Sequence, residues 1–346
     1  FIDFVDCNFV SNNAENYGGA YSFIESDEKT TVLSFYNCYF YGNSCNKLKG
    51  GALYLSVKNA SINNCVFESN SKYSLCAENC DKSISVINST FSNNNEFALS
   101  FSDCKSIVSL SDCIFTSDKS HDYAVSCILT NNFIVENVSI NGSGGFLIEP
   151  NLTSSGQFSM TKTTIRNSNT GLFYRQSNEH HLINVVDCTF CSLKNAFVFY
   201  LTNTNHVIRN NTICDCMNCD DKRSTIEITI ESTMNLLFDE FIFDNNSCSQ
   251  QEEKTAGFGG GIGLNVFTSS KEKTAKLEFK NCIFSSNKNN NIDGNGGSFY
   301  YSASNNITLS RLSFDTCNFT HNFASQKGGS LYIENDNPLS IQNCWF

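Results

Sequence analysis

The residues best suited to chemistry are the cysteines, eighteen of them in 346 residues. The thiolate is both a nucleophile and a soft metal ligand, so clustered cysteines demand attention. The tightest cluster is Cys191, Cys214, Cys216 and Cys219. Cys216-Met217-Asn218-Cys219 has the Cys-x-x-Cys spacing of a zinc-ligand pair. In an extracellular chain the same four residues read first as one or two disulfides, then as free thiols, then as zinc ligands. Other ionisable groups are less persuasive. Asp239-Glu240 is an adjacent acid pair, but neighbours on a strand point to opposite faces, which defeats general acid/base pairing. Asp220-Asp221-Lys222-Arg223 reads as a solvated bend beside the cysteines. His180-His181 has only Glu179 as a nearby partner. Asp293-Gly294-Asn295-Gly296-Gly297 echoes a calcium loop with one carboxylate, too little charge for that ion. The Gly pairs precede no helix, so they are not phosphate cradles. No residue is therefore assigned a catalytic, cofactor-binding or metal-binding role.

The elements that carry these residues are repeats. A phrase of Asn or Asp, Cys, any residue and Phe, often with Asn three residues later, returns along the whole chain. Its large apolar anchor falls at Phe9, Phe40, Phe67, Phe91, Phe115, Ile140, Ile165, Phe190, Ile213, Phe243, Phe284, Phe319 and Phe346. Successive steps are 31, 27, 24, 24, 25, 25, 25, 23, 30, 41, 35 and 27 residues, so the minimal unit is about 24 residues and longer steps carry insertions. Each interval holds short runs rich in β-branched and aromatic residues, such as Val32-Leu33-Ser34-Phe35 and Ala52-Leu53-Tyr54-Leu55, separated by Asn, Gly and Ser. No sustained helical period occurs. A unit this short cannot close its own sheet. Stacked copies can, each strand pairing in parallel with its equivalents above and below. The expectation is an all-β parallel β-helix of about twelve coils, forming one solenoid over residues 1–346.

Position within the phrase separates inside from outside. The anchor column should point inward, together with the residue two before it, which is Cys in eight of thirteen copies. A thiol there acts as a small hydrophobe. The residue between them is unconstrained and should point outward. Three before the anchor, Asn or Asp dominates, as expected for a left-handed bend whose side chains bond along the stack. Ladders of this kind account for 48 Asn in one chain. The long intervals should carry loops near 250–255, 269–274 and 288–295, suited to partner contact.

Net charge is −11 with five Arg, which argues against a nucleic-acid partner. No apolar stretch is long enough for a membrane helix. Phe1 lies inside the phrase and Phe346 on an anchor, and neither end carries a polar capping segment. The expectation is an internal segment of a longer protein, so a missing targeting signal carries no information. Nine Asn-x-Ser/Thr sequons, among them Asn59, Asn88, Asn137, Asn151 and Asn306, are about what this composition yields by chance.

Four copies carry a further signature. Gly18-Gly19-Ala20, Gly50-Gly51-Ala52, Gly296-Gly297-Ser298 and Gly328-Gly329-Ser330 each follow a Phe-x-x-Asn tetrad. This alternation resembles the repeats of the polymorphic outer-membrane proteins of chlamydiae and the related surface proteins of trichomonad parasites. Phe67 to Phe243 keeps the phrase but mostly loses the Gly pair. The resemblance implies a right-handed β-helical, cysteine- and asparagine-rich surface segment. It would be membrane-anchored through a part outside these residues, exposed at the cell surface or secreted, and adhesive towards a host or cell-surface protein or glycan. No catalytic residues carry over. The alternatives are a carbohydrate-active β-helix lyase or hydrolase and a structural spacer. A groove with three or more clustered charged residues on one stacked face would favour the enzyme.

Overall fold

The computed structural model describes residues 1–346 apart from 26–30, 118–122, 143, 151–154, 176–180, 202–204, 219–225, 231–233, 249–261, 265–273, 292–293, 303–307 and 335–337. Every regular element among the described residues is a β-strand. The chain forms a right-handed parallel β-helix and divides into two compact units, Phe1–Asn169 and Thr170–Phe346.

In the first unit each complete coil contributes three main strands, and the first two coils add a two-residue fourth, Asn13–Ala14 paired with Ser44–Cys45. The second and third coils show the pattern: Val32–Tyr36, Tyr39–Tyr41 and Leu53–Ser56, then Asn59–Asn63, Val66–Glu68 and Leu75–Glu78. Each strand pairs in parallel with its equivalent one coil away, so three sheets run through the unit. The second unit repeats the plan and adds a short sheet built from Met217–Asn218, Ser247–Cys248, Lys288–Asn289 and Phe323–Ala324.

The anchors fall in register. Phe9 pairs with Phe40, Phe40 with Phe67, Phe67 with Phe91, Phe91 with Phe115, Phe115 with Ile140, and Ile140 with Ile165. In the second unit Phe190, Ile213, Phe243, Phe284 and Phe319 follow one another in the same way. Ring centroids from Phe9 to Phe115 are 4.6–4.8 Å apart and nearly parallel. Phe319 and Phe346 stack at 4.9 Å. The strand spacing of a sheet forces this distance, and flat rings fill it without voids.

Two bends per coil flank the anchor. All thirteen residues three before an anchor, from Asp6 to Asn343, have positive φ, including Lys162, Glu240 and Thr316 where the sequence departs from Asn or Asp. The fold imposes the left-handed turn, and Asn and Asp meet it at least cost. Their side chains bond coil to coil: Asn64 Nδ2 donates to Asn37 Oδ1 (3.1 Å), Asn88 to Asn64 (3.2 Å) and Asn210 to Asp187 (2.6 Å).

The Asn of each Phe-x-x-Asn forms a second ladder, inside the coil. Asn43 and Asn70 are fully buried. Asn43 Nδ2 donates to Phe9 O and to Asn70 Oδ1, and Asn70 Nδ2 to Phe40 O and Asn94 Oδ1. Asn246, Asn287 and Asn322 repeat the arrangement in the second unit. Each buried amide is satisfied, as burial requires. The Gly pair answers to the same close stacking. Gly50 has φ +75°, and a Cβ on Gly51 would sit 1.7 Å from Ser71 O of the next coil.

One loop expectation needs correction. The described part of 288–295, all but 292–293, packs on the stack: Lys288–Asn289 is a paired strand, Asn289 and Asn291 are buried, and Asn295 bridges to Lys327. Asn289 Nδ2 donates to Asn295 O, which ties the two ends of the insertion together. The other two loops, 250–255 and 269–274, lie outside the described residues except Thr274, the first residue of a strand.

Candidate functional site

The cysteines divide by position. Cys38, Cys65, Cys113, Cys188, Cys282 and Cys317, two before their anchors, are buried free thiols. Each donates to the carbonyl two residues earlier, as Cys65 does to Asn63 O at 3.3 Å. Burial pushes the Cys65 thiol up to about 12, far from a reactive thiolate. Cys191 and Cys214 directly follow their anchors, pair in register and are half-buried. Their sulfurs are joined as a disulfide, with Cα atoms 4.7 Å apart. Cys216 points the other way. It is fully buried, its thiol faces Phe190 O and Cys214 O, and burial raises its pKa to about 12. The structure therefore does not bring Cys216 together with the bridged pair as a third ligand. Cys219 lies outside the described residues.

Of the remaining groups singled out in the sequence, Asp220 to Arg223, His180 and Asp293 also lie outside the described residues. Asp239 ends a strand and faces Arg209 (Oδ2 to Nε 3.6 Å), while Glu240 occupies the left-handed bend. The two acids diverge, as strand geometry requires. His181 is buried, its Nδ1 2.8 Å from the Tyr174 hydroxyl. His206, one coil on, accepts from Ile183 N at 3.2 Å. Burial, then His181, hold the His206 imidazole down at about 4, so it stays neutral in the fold.

The most developed polar site lies elsewhere, outside the third sheet of the first unit. Leu53–Ser56, Leu75–Glu78 and Leu99–Ser102 lie side by side, with Ser56, Glu78 and Ser102 in one outward row. Glu78 sits at the centre. Its carboxylate binds Lys49 Nζ, accepts from the Tyr54 hydroxyl (2.9 Å) and accepts from Ser102 Oγ (3.1 Å). Burial alone would raise the Glu78 carboxyl; the bonds from Lys49, Tyr54 and Ser102 outweigh it and hold the group below the usual carboxylate range. Burial, and then Glu78, push the Tyr54 phenol up. Tyr17 lies over Tyr54, ring centroids 4.4 Å apart.

Beside this array, at the corner leading to the first sheet, opens a polar cleft of about 320 Å³. Glu25, Lys58, Asn79, Asp81 and Lys105 line it, with Ser56 and Val57 between. Glu25 accepts from Lys58 N (2.7 Å) and Thr31 N, and Asp81 faces Lys105 at 3.2 Å. Sequence reasoning missed both features because their bonded or adjacent members on neighbouring coils are 22 to 33 residues apart and unremarkable singly. The one signal was the polar residue before each Gly pair, Lys49 among them.

Residues 50–213 match the family model described as right handed beta helix region. The match covers somewhat under half of the chain and supports a β-helix repeat family. No curated protein and no solved structure matches the chain. Among the described residues no helix is long and apolar enough to cross a membrane, which says nothing of a strand-built barrel.

Proposed function

We propose that the chain is a surface-exposed, adhesin-type segment that contacts a host or cell-surface partner and performs no catalysis. The observation that carries this reading is the Lys49–Glu78–Tyr54–Ser102 array. Polar groups from three successive coils are held in one arrangement by one another, on the outside of a rigid stack. Preorganised surface groups lower the ordering cost of contact. The four tetrad and Gly-pair copies resembling polymorphic outer-membrane proteins point the same way. Labelled protein should bind target cells saturably, and K49A/E78A should weaken that binding. Failure of the intact protein to bind any cell surface would overturn the reading.

The charged cleft favours carbohydrate-active chemistry as a second reading, since it gathers two carboxylates and two lysines. Their existing bonds are those of holding groups: Asp81 pairs with Lys105, and Glu25 accepts two backbone N–H bonds. Purified protein should leave pectin, alginate and neutral polysaccharides intact. Turnover that disappears in Glu25→Gln or Asp81→Asn would establish the enzyme instead, as would turnover lost at Asp220 or Asp221.

A further inference from the structure

The bridged cysteines have a third donor beside them. Cys191 ends the strand Thr189–Cys191, and Cys214 ends the strand Thr212–Cys214. The strands pair in register on adjacent coils, so both side chains leave the outer face of one sheet, one above the other. Asp215 follows Cys214 in a left-handed bend, with φ +52°. The bend turns its carboxylate back towards the row. One ligand atom from each of Cys191, Cys214 and Asp215 lies within 4.8 Å of the other two. Asp215 Oδ1 accepts from Asn245 Nδ2 of the next coil at 2.8 Å. That bond orients the carboxylate and leaves it oxygen lone pairs for a further partner, the support that a ligating carboxylate receives in metal sites. Asp244 follows Cys214 in the same outward row and accepts from Ser285 Oγ at 2.6 Å, adding a second negative charge on that side.

The donor set selects the ion. Calcium and magnesium take oxygen ligands, whereas two thiolates with one carboxylate suit a softer divalent cation, zinc first among them. With Zn–S of about 2.3 Å and Zn–O of about 2.0 Å, the ligand atoms of a tetrahedral site stand about 3.5–4 Å apart. The three donors already lie inside 4.8 Å, and the exposure of Asp215 leaves the fourth position to water. Bridged sulfurs are not thiolates, so the S–S bond must open first. Two equivalents of a low-molecular-weight thiol supply the two electrons and two protons and leave as their own disulfide. A divalent ion then displaces the two thiol protons. We infer that Cys191, Cys214 and Asp215 form a redox-gated zinc site. Reduced, it ties together through the metal the same two coils that the disulfide ties when oxidised. Cys216, offered as a ligand by its spacing, takes no part, because its thiol is buried against Phe190 O.

The test titrates the intact chain, once reduced and desalted under nitrogen and once oxidised, with zinc alone and with cobalt(II) as a spectroscopic probe. The reduced chain should bind one ion, release protons on loading and show a thiolate-to-cobalt charge-transfer band. The oxidised chain should do none of these. Zinc should raise Tm of the reduced chain only. Cys191→Ser and Cys214→Ser should each abolish binding, since two protein ligands remain. Asp215→Asn, which the left-handed bend accepts, should weaken it about tenfold or more. Cys7→Ser and Cys344→Ser, at the half-buried thiols of the inward column, should leave the affinity unchanged. Circular dichroism reports whether each variant folds; if a serine variant does not, Asp215→Asn and the oxidised chain still decide. No ion bound by the reduced chain, equal binding by the oxidised chain, or unchanged affinity in Asp215→Asn would overturn the inference. So would binding lost as fully in Cys216→Ser or Cys219→Ser as in Cys191→Ser.

Discussion

At the scale of single residues, burial decides what a side chain can do. Of eight inward cysteines that look reactive as a count, six are buried and bonded to their own backbone, and burial pushes thiols such as Cys65 and Cys113 up to about 12, away from a reactive thiolate. His206 shows the same principle with a pH consequence. Its folded pKa of about 4 lies below the ordinary 6.5, so the unfolded chain takes up the proton first as pH falls. Its stabilising effect is complete above about pH 6.5 and is lost progressively as pH falls towards 4, at a total of about 3 kcal/mol. His206→Gln, followed by urea unfolding at pH 7 and pH 4.5, should flatten that dependence; an unchanged slope would show that His206 is not its source. Glu78 supplies a second case. Glu78→Ala leaves the buried Tyr54 hydroxyl without its acceptor and should cost about 1–3 kcal/mol in urea unfolding.

At the scale of the coil, stacked columns share their load with nearest neighbours. Phe115→Ala removes a ring lying 4.8 Å from Phe91 and in register with Ile140, and should cost about 3–5 kcal/mol. Amide exchange should accelerate mainly around residues 91–140. Ile114, next to it, is 48% exposed, and Ile114→Ala should cost less than about 1 kcal/mol. Equal losses at the two positions would mean that inward and outward columns are misassigned. Asn70→Ala tests the inner ladder. It strands Phe40 O and the Asn43 amide, so it should destabilise more than Asn88→Ala, whose exposed ladder bond water can replace.

At the scale of the whole molecule, charge sets the response to salt. The net charge of −11 makes the folded chain self-repulsive. Two of the described ion pairs, Lys47–Glu15 and Lys162–Glu136, are more than half exposed on both sides and contribute little. Screening therefore relieves more repulsion than it removes attraction. Raising NaCl from about 0.05 to 0.5 M, across which the Debye length shortens severalfold, should raise Tm in a thermal scan. A fall would mean that ion pairs contribute more than their exposure implies.

The phrase around each anchor was sufficient for the strand class, the parallel stacking, the inward column and the bend, because all four depend on residues within a few positions of one another. Period two assigns faces, and the recurrence of Phe at one point of every copy assigns register. The resemblance supplied the hand, which a β-period alone does not encode. The buried Asn ladder was half legible: Phe-x-x-Asn was visible, but its burial depends on the carbonyls of the preceding coil. The Glu78 array and the charged cleft were illegible, since they arise when residues a full coil apart are brought side by side. Local chemistry specifies the coil. Only stacking decides what adjacent coils place together, because the contacts that make a site here run along the stack and not along the chain.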